Sequence, residues 1–185
     1  MRNFVLGILV ALVSLVLGAL AYLTFGWMPT VADRPPSRLE SHIAMSALDA
    51  SMERHAARLS NPVPATDENL IEGMKIYTAN CALCHGSLDK KPSSLEKSLY
   101  PRAPQLIIDP EDDPEWHIFY AVETGVRYTG MPAWDKALSP QQVWEVTAFL
   151  SRVEKLPPAV QEYWKKSYGV NPAPSDSHGE EETKH

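Results

Sequence analysis

Cys81-Ala82-Leu83-Cys84-His85 is the stretch that decides how the rest of this 185-residue chain is interpreted. It contains both cysteines of the protein and places a histidine directly after the second one. If the segment is helical, positions three and four residues apart share a face, so both thiols and the imidazole project in one direction. This spacing is the attachment signature of c-type haem. The motif therefore predicts one covalent haem c, tethered by Cys81 and Cys84, with His85 directed at the iron.

Three other chemistries use two closely spaced cysteines. A structural zinc site needs four ligands, usually from two such pairs, and the sequence has no second pair. A thioredoxin-like redox motif would lie near a βαβ pattern, which the sequence does not show. A structural disulfide here would close a very small loop and would stabilise the fold little. The motif favours haem over all three.

The bulk composition excludes one class of partner. The formal net charge is -6, so a nucleic-acid partner is not expected. The length fits one ordinary domain with appendages. Both cysteines belong to the haem motif, which leaves none for a disulfide framework.

The first 32 residues are interpreted as a cytoplasmic N-terminus and a transmembrane signal-anchor helix. The segment 4–28 is almost wholly apolar and long enough to span a bilayer. A cleaved signal peptide is the alternative, with a weak small-residue site at Thr30-Val31-Ala32, but its apolar region is usually shorter. Aromatic residues at the far end suit a membrane interface. Flanking arginines do not fix the orientation: Arg2 precedes the helix, and Arg34 and Arg38 follow it.

Residues 33–65 are predicted to form a linker that contains an amphipathic helix. Pro35-Pro36 gives a stiff spacer, and Ser37-Arg38-Leu39-Glu40 is a capping box that begins a helix. The helix is expected to end before Asn61-Pro62. Its apolar positions have helical spacing: Leu39, Ile43, Ala47, Leu48, Met52, Ala56 and Leu59. This stripe could pack on the haem domain, the membrane surface or a partner subunit.

Residues 66–156 are predicted to form the haem domain. Thr66 is an N-cap for a helix that runs into the haem motif, and Ser139-Pro140-Gln141-Gln142 is a second capping box. A helix is also predicted to begin with Pro114 at its first position and to end at Gly125. No strand pattern is present, so we expect an all-α fold: an N-terminal transmembrane helix followed by a helical haem domain. Residues 157–185 are predicted as an extension, a short helix and then a disordered acidic tail.

A haem iron bound by one histidine has a second axial position. Four residues downstream of the motif could fill it: His117, Met131, His178 and His185. Met131 lies in the turn Tyr128-Thr129-Gly130-Met131-Pro132-Ala133-Trp134 between two predicted helices, where Pro132 stiffens the backbone. A methionine on a stiff turn is more informative than one on an apolar helix face, where filling the core is its ordinary use. Met131 is therefore the preferred candidate.

Three segments together resemble the class I cytochromes c: the Cys81–Gly86 motif, Pro104-Gln105-Leu106, and Gly130-Met131-Pro132-Ala133-Trp134 before a terminal helix. The last segment is most similar to haem domains associated with respiratory oxidases and small bacterial cytochromes. The resemblance implies a small helical bundle with one haem, His85 as proximal and Met131 as distal ligand. It also implies that the Pro104 carbonyl accepts a hydrogen bond from His85. Trp134 and Arg127 are candidate neighbours of the haem propionates.

These inferences predict a membrane-tethered, mono-haem electron carrier rather than an enzyme. Such a carrier could be a subunit of a respiratory complex in a bacterial inner membrane, single-pass, with the haem domain in the periplasm. Between residues 66 and 156 there are nine Lys and Arg against fourteen Asp and Glu, a formal balance of -5. Redox partners or complex subunits with basic or mixed contact surfaces are therefore expected. The alternative is a haem enzyme or gas sensor with a labile Met131, for which His117 and Glu123 are the nearby acid–base candidates.

Overall fold

The computed structural model of the protein describes residues 1–170 and Pro172. These residues form an all-helical structure, and the described part of the chain contains no strand. The helices are α1 (Arg2–Thr24), α2 (Arg38–His55), α3 (Asp67–Asn80), α4 (Ala82–His85), α5 (Glu115–Thr124), α6 (Pro140–Leu150) and α7 (Pro158–Tyr168). The predicted fold class is confirmed. The predicted disordered tail falls outside the described residues except for Pro172.

The chain divides after Val31 into two compact units, of which the first contains α1. This helix has 23 residues and is long and apolar enough to cross a membrane. None of its residues is buried. At its C-terminal end the Trp27 ring lies 5.7 Å from the ring centre of Phe25 and 6.4 Å from that of Tyr22. This aromatic cluster suits an interfacial position at one end of a spanning helix.

The second unit begins with α2, whose N-terminus forms as the sequence predicts. Ser37 accepts a hydrogen bond from the Glu40 backbone, and the Glu40 side chain accepts one from the Ser37 backbone. The helix ends at His55, several residues earlier than expected. Only Met52 and Ala56 of the predicted stripe are buried, whereas Leu39 and Ile43 are 69% and 59% exposed. The apolar burial of α2 is therefore confined to its C-terminal end, whereas near its start Glu40 accepts a hydrogen bond from the Tyr100 hydroxyl.

The core of the second unit is built where α3 crosses α6. The two helices approach so closely at Gly73 that a Cβ there would lie 2.1 Å from the Glu145 carbonyl oxygen. This contact explains why glycine interrupts an otherwise good helical segment. Tyr77 of α3 packs with its ring centre 5.9 Å from that of Phe149 of α6. The crossing fixes the direction in which α3 delivers the haem motif.

Helices α5 and α7 close the core from two sides. On one side Phe119 of α5 stacks on Trp144 of α6 with ring centres 3.8 Å apart. On the other side Trp164 of α7 is 1% exposed and donates a hydrogen bond of 2.8 Å to the Leu88 carbonyl oxygen, just after the haem motif. The hydrophobic core therefore continues past residue 156, where the sequence analysis placed the domain end, into a helix predicted only as part of an extension.

Two helix starts illustrate local sequence control and its limit. The Ser139 capping box is formed, with the Gln142 side chain accepting from the Ser139 backbone at 2.9 Å and Pro140 at the first helical position. Pro114, by contrast, is the N-cap of α5 and not its first helical residue: its ψ angle is 148°. The carbonyl of Pro114 accepts from the His117 backbone at 2.9 Å, so the helix is still capped there.

Candidate haem-binding site

The three residues of the haem motif are held on one short helix. Cys81 directly follows α3 as its C-cap, and its backbone N–H still donates to the Tyr77 carbonyl oxygen. Cys81 is also the N-cap of α4. The backbone N–H of His85 donates to the Cys81 carbonyl oxygen at 2.9 Å, which is a helical turn. Cys81 and Cys84 are free thiols. The local helix therefore places two thiols and one imidazole at the spacing that the sequence predicts.

Burial sets the protonation of this group. Cys81 is buried, and burial together with the neighbouring Cys84 raises the pKa of its thiol to about 12. Burial also lowers the pKa of the His85 imidazole, and its hydrogen bond to the Pro104 carbonyl opposes that shift. Burial therefore disfavours the charged forms of the Cys81 thiol and the His85 imidazole; the neutral imidazole is the form of histidine that ligates a metal.

The His85 ring is oriented by a backbone carbonyl nineteen residues later. Its Nδ1 lies 2.9 Å from the Pro104 carbonyl oxygen. A carbonyl oxygen can only accept, so Nδ1 carries the proton and Nε2 carries the lone pair. Proline cannot donate from its own nitrogen and has a fixed φ, which suits a residue whose one task here is to present an oxygen. The arrangement leaves Nε2 as the ligating atom.

Tyr77 and Gln105, to which the sequence assigns no role, donate hydrogen bonds to backbone carbonyls of the haem motif. The Tyr77 hydroxyl, on α3, donates to the carbonyl oxygens of His85 at 2.9 Å and Gly86 at 2.7 Å. Burial raises the pKa of Tyr77 above its ordinary value, so the phenol remains a donor. The Gln105 side-chain amide donates to the Cys84 carbonyl oxygen at 3.1 Å. The position of Gln105 next to Pro104 was the only sequence signal for it.

The turn that carries Met131 is fastened to the end of α5. The Met131 carbonyl oxygen accepts from the Val126 backbone at 3.2 Å, and its N–H donates to the Thr129 hydroxyl at 3.0 Å. A Cβ on Gly125, whose φ is 67°, would lie 2.8 Å from the same carbonyl oxygen. Met131 is half-buried and packs on the hydrophobic core that also contains Cys81. The methionine is therefore presented on a rigid turn.

Gly130, the residue before the methionine, meets a side chain from the loop that follows the haem motif. A Cβ at Gly130 would lie 2.8 Å from Leu99 Cδ2. The neighbour that a larger residue at position 130 would meet is therefore a side chain and not a backbone. The contact joins the two loops that carry Pro104 and Met131.

The remaining predicted residues differ in burial. Trp134 packs on the core, and its indole N–H is buried without a hydrogen-bond partner in the described part of the chain. Arg127 is exposed, with its guanidinium 6.0 Å from the centre of the Tyr128 ring. His117 is hydrogen-bonded to Asp113 at 3.1 Å through Nδ1. The structure therefore places Trp134, but not Arg127, against the core; His178 and His185 lie outside the described residues.

The residues present fit a covalently attached haem. Two free thiols and an imidazole lone pair are the donor set that such a haem requires. The Trp134 indole N–H is a buried donor without an acceptor, which suits an acidic group such as a propionate. The thioether of Met131 adds the soft ligand on the anchored turn. These observations agree with haem chemistry and give no second thiol pair for zinc.

A known protein family matches the part of the chain that contains these residues. Residues 68–150 match the family model described as cytochrome C oxidase, cbb3-type, subunit III. The matched segment contains the haem motif, Pro104 and the Met131 turn. Together with the helical fold, the match supports a c-type cytochrome domain over these residues, a class of domain that carries covalently bound haem c.

A solved structure is similar to about half of this chain. It is the reducing HAO-like protein complex of Kuenenia stuttgartiensis, with a chain 20% identical to this one and a TM-score of 0.40. The similarity covers 54% of this chain and 52% of that chain, so the two share about half of their lengths. Among curated protein sequences, none matches this chain.

Proposed function

We propose that the protein is a membrane-tethered, mono-haem electron carrier whose iron is ligated by His85 and Met131. The observation that supports this most is the His85–Pro104 hydrogen bond of 2.9 Å, which leaves the His85 Nε2 lone pair free beside two free thiols. Haem supplies one-electron iron chemistry when it is bound. His85 and Met131 would both ligate the iron, and a histidine–methionine pair favours a higher potential than two histidines would.

The chain's own residues have separate tasks in this proposal. Cys81 and Cys84 would hold the haem covalently through their two thiols. His85 keeps its proton on Nδ1 and directs Nε2 at the iron, because Pro104 accepts that proton's hydrogen bond. Met131 approaches on a turn held by Val126 and Thr129, so little rearrangement accompanies a change of oxidation state. Trp134 donates to a propionate, and Arg127 contributes positive charge near the surface.

The helix α1 is the proposed retained anchor, with the haem domain in the periplasm of a bacterium. Its length and apolar composition support a bilayer span. Residues 33–65 then form the linker with α2, residues 66–156 carry the haem, and 157–185 extend it. The acidic balance of the haem domain favours redox partners, or subunits of a membrane complex, with basic or mixed contact surfaces.

The carrier proposal is tested by redox titration and by carbon monoxide. We expect the purified holoprotein to titrate as a single one-electron couple, and the reduced form to bind carbon monoxide slowly or not at all because both axial positions are filled. Rapid carbon monoxide binding by the reduced wild type would contradict this and would favour a gas-binding or catalytic haem.

The topology is tested with reporters fused after His185. A reporter that is active only in the periplasm should be active, and a reporter that is active only in the cytoplasm should be silent. The haem-containing chain should also stay with the membrane during alkaline extraction. Release of a shortened, haem-containing chain would show that α1 is a cleaved signal peptide instead.

A further inference from the structure

The segment between Gly86 and Pro104 has little secondary structure of its own. It contains one 3₁₀ turn at Glu96–Ser98 and otherwise no helix. Yet its last residue must present a carbonyl oxygen to His85 Nδ1 at 2.9 Å, nineteen residues away from the ring. A loop of this length orders a single oxygen only if other contacts fix it. Contacts made by other residues of the loop must therefore fix the position of the Pro104 carbonyl.

The Gln105 side chain is the point at which this loop is tied together. Its Nε2 donates to the carbonyl oxygen of Cys84 at 3.1 Å and to that of Ala103 at 3.0 Å. Its Oε1 accepts from the Ser93 backbone at 2.8 Å. One half-buried amide therefore joins the helix α4, the middle of the loop and the residue before Pro104.

The orientation of this amide follows from its partners. Reversing it would set Oε1 against two carbonyl oxygens and the amide nitrogen against an N–H donor. Gly86 leaves the space, since a Cβ there would lie 3.0 Å from Gln105 Oε1. Both N–H donors and the acceptor oxygen of the amide are used, so position 105 requires a neutral amide side chain of this length.

We propose that Gln105 is a positioning residue that holds the Pro104 carbonyl on His85 and thereby sets the electron-donating strength of the proximal ligand. The inference rests on the proposed function, because it concerns His85 as an iron ligand. A hydrogen bond from Nδ1–H to a carbonyl makes an imidazole a stronger donor to the metal, which favours the oxidised iron. Gln105 touches neither the ligating atom nor the iron; it acts through Pro104.

Two substitutions separate this role from simple packing. Gln105→Glu keeps the shape and the acceptor for Ser93, but sets a carboxylate oxygen against the carbonyl oxygens of Cys84 and Ala103. Gln105→Asn keeps the amide but is one methylene too short to reach all three partners, and is the milder change. The matched controls are Gln161→Glu and Gln161→Asn in α7, where the amide also donates to a backbone carbonyl, that of Leu156 at 2.7 Å.

The experiment measures two properties of the full-length holoprotein: the reduction potential and the solvent exchange rate of the His85 Nδ1 proton in its paramagnetically shifted NMR signal. We expect both Gln105 variants to exchange this proton about tenfold faster or more, as loss of one hydrogen bond allows, and Gln105→Asn to raise the potential. The negative charge that Gln105→Glu adds lowers the potential by itself, so for that variant the exchange rate is the deciding readout. The Gln161 variants should leave both values unchanged. Gln105→Asn provides the test if Gln105→Glu fails to attach haem.

Wild-type potential and exchange in the Gln105→Asn holoprotein would overturn the proposal. A shifted potential with unchanged proton exchange would overturn it as well, because the effect would then be one of charge and not of the His85 bond. The proton exchange rate reports on the His85 hydrogen bond, whereas carbon monoxide binding reports on whether a second ligand blocks the iron. If carbon monoxide binding disproves the carrier function, the Gln105 result still stands or falls by itself.

Discussion

At the residue scale, the site depends on side chains that each satisfy more than one backbone group. The Tyr77 hydroxyl serves two carbonyls of the haem motif, and the Thr129 hydroxyl links Val126 to Met131 by bonds of 2.7 Å and 3.0 Å. Ordering these side chains costs little conformational entropy, because each lies on or next to an element that is itself ordered. In the folded protein they fix the backbone segments on which His85 and Met131 lie.

The Tyr77 hydroxyl gives a prediction at this scale. Tyr77→Phe retains the buried ring but leaves the carbonyls of His85 and Gly86 without their shared donor. We expect a loss of about 1–3 kcal/mol in the free energy of unfolding, measured by chemical denaturation of the holoprotein. Tyr168→Phe, which removes an exposed hydroxyl bond to Thr78, should cost less than half as much. Equal effects of the two changes would contradict the proposed importance of the buried bonds.

The sequence specifies some of these residues and not others. Cys81, Cys84 and His85 follow a fixed local spacing, so one window of sequence identifies them. The Gln105 amide reaches Cys84 across 21 residues and Ser93 across 12, and no periodicity connects those positions. Pro104 was identified through family resemblance and not through spacing. Long-range polar contacts depend on how loops fold back, which single-sequence patterns do not report.

At the element scale, the crossing of α3 and α6 at Gly73 is the contact that the rest of the domain is built around. Gly73→Ala would gain helix propensity of roughly 1 kcal/mol, but its methyl group would lie 2.1 Å from the Glu145 carbonyl oxygen. Backbone must move to relieve that overlap, so we expect net destabilisation of at least about 2 kcal/mol. Ala79→Ser, on the exposed face of α3, should change stability by less than about 0.5 kcal/mol. A neutral Gly73→Ala would disprove the close crossing.

Two glycines with positive φ differ in how closely other atoms pack around them. Gly125 and Gly169 both have positive φ, 67° and 76°. A Cβ at Gly125 would lie 2.6 Å from backbone atoms of Pro132 and Ala133, whereas nothing lies within 4 Å of one at Gly169. We expect Gly125→Ala to weaken methionine ligation, measured by the optical spectrum of the oxidised protein, and Gly169→Ala to leave that spectrum unchanged. A normal spectrum in the Gly125 variant would show that the turn does not need this contact.

The residue at which a helix begins was easier to predict from the sequence than the residues that pack against the helix. The capping boxes at Ser37 and Ser139 need only residues three positions apart, and both are formed. For the apolar stripe of α2 the sequence left three packing partners open, because amphipathic spacing shows which residues could share a face but not what covers it. The sequence does not indicate that α7 joins the core, because the hydrogen bond from Trp164 to the Leu88 carbonyl connects residues 76 positions apart.

At the scale of the whole molecule, the haem completes the core of a small helical domain. A domain of this size buries limited apolar area by itself, and a tethered macrocycle adds a large surface. We predict that a Cys81→Ala, Cys84→Ala double variant has no cooperative thermal transition. Near-ultraviolet circular dichroism is the appropriate probe, because α1 stays helical in detergent and would mask the far-ultraviolet change. A native-like melt without haem would contradict the prediction.

The central claim is that His85 and Met131 ligate one covalent haem, and the optical spectrum of the Met131→Ala holoprotein tests it most directly. Methionine ligation gives oxidised haem c a weak long-wavelength absorption band. We predict that the wild type has this band and that Met131→Ala retains its haem but loses the band. Met45→Ala, which removes an exposed methionine of α2, should keep it. A band that persists in Met131→Ala, or its absence from the wild type, would contradict the assignment.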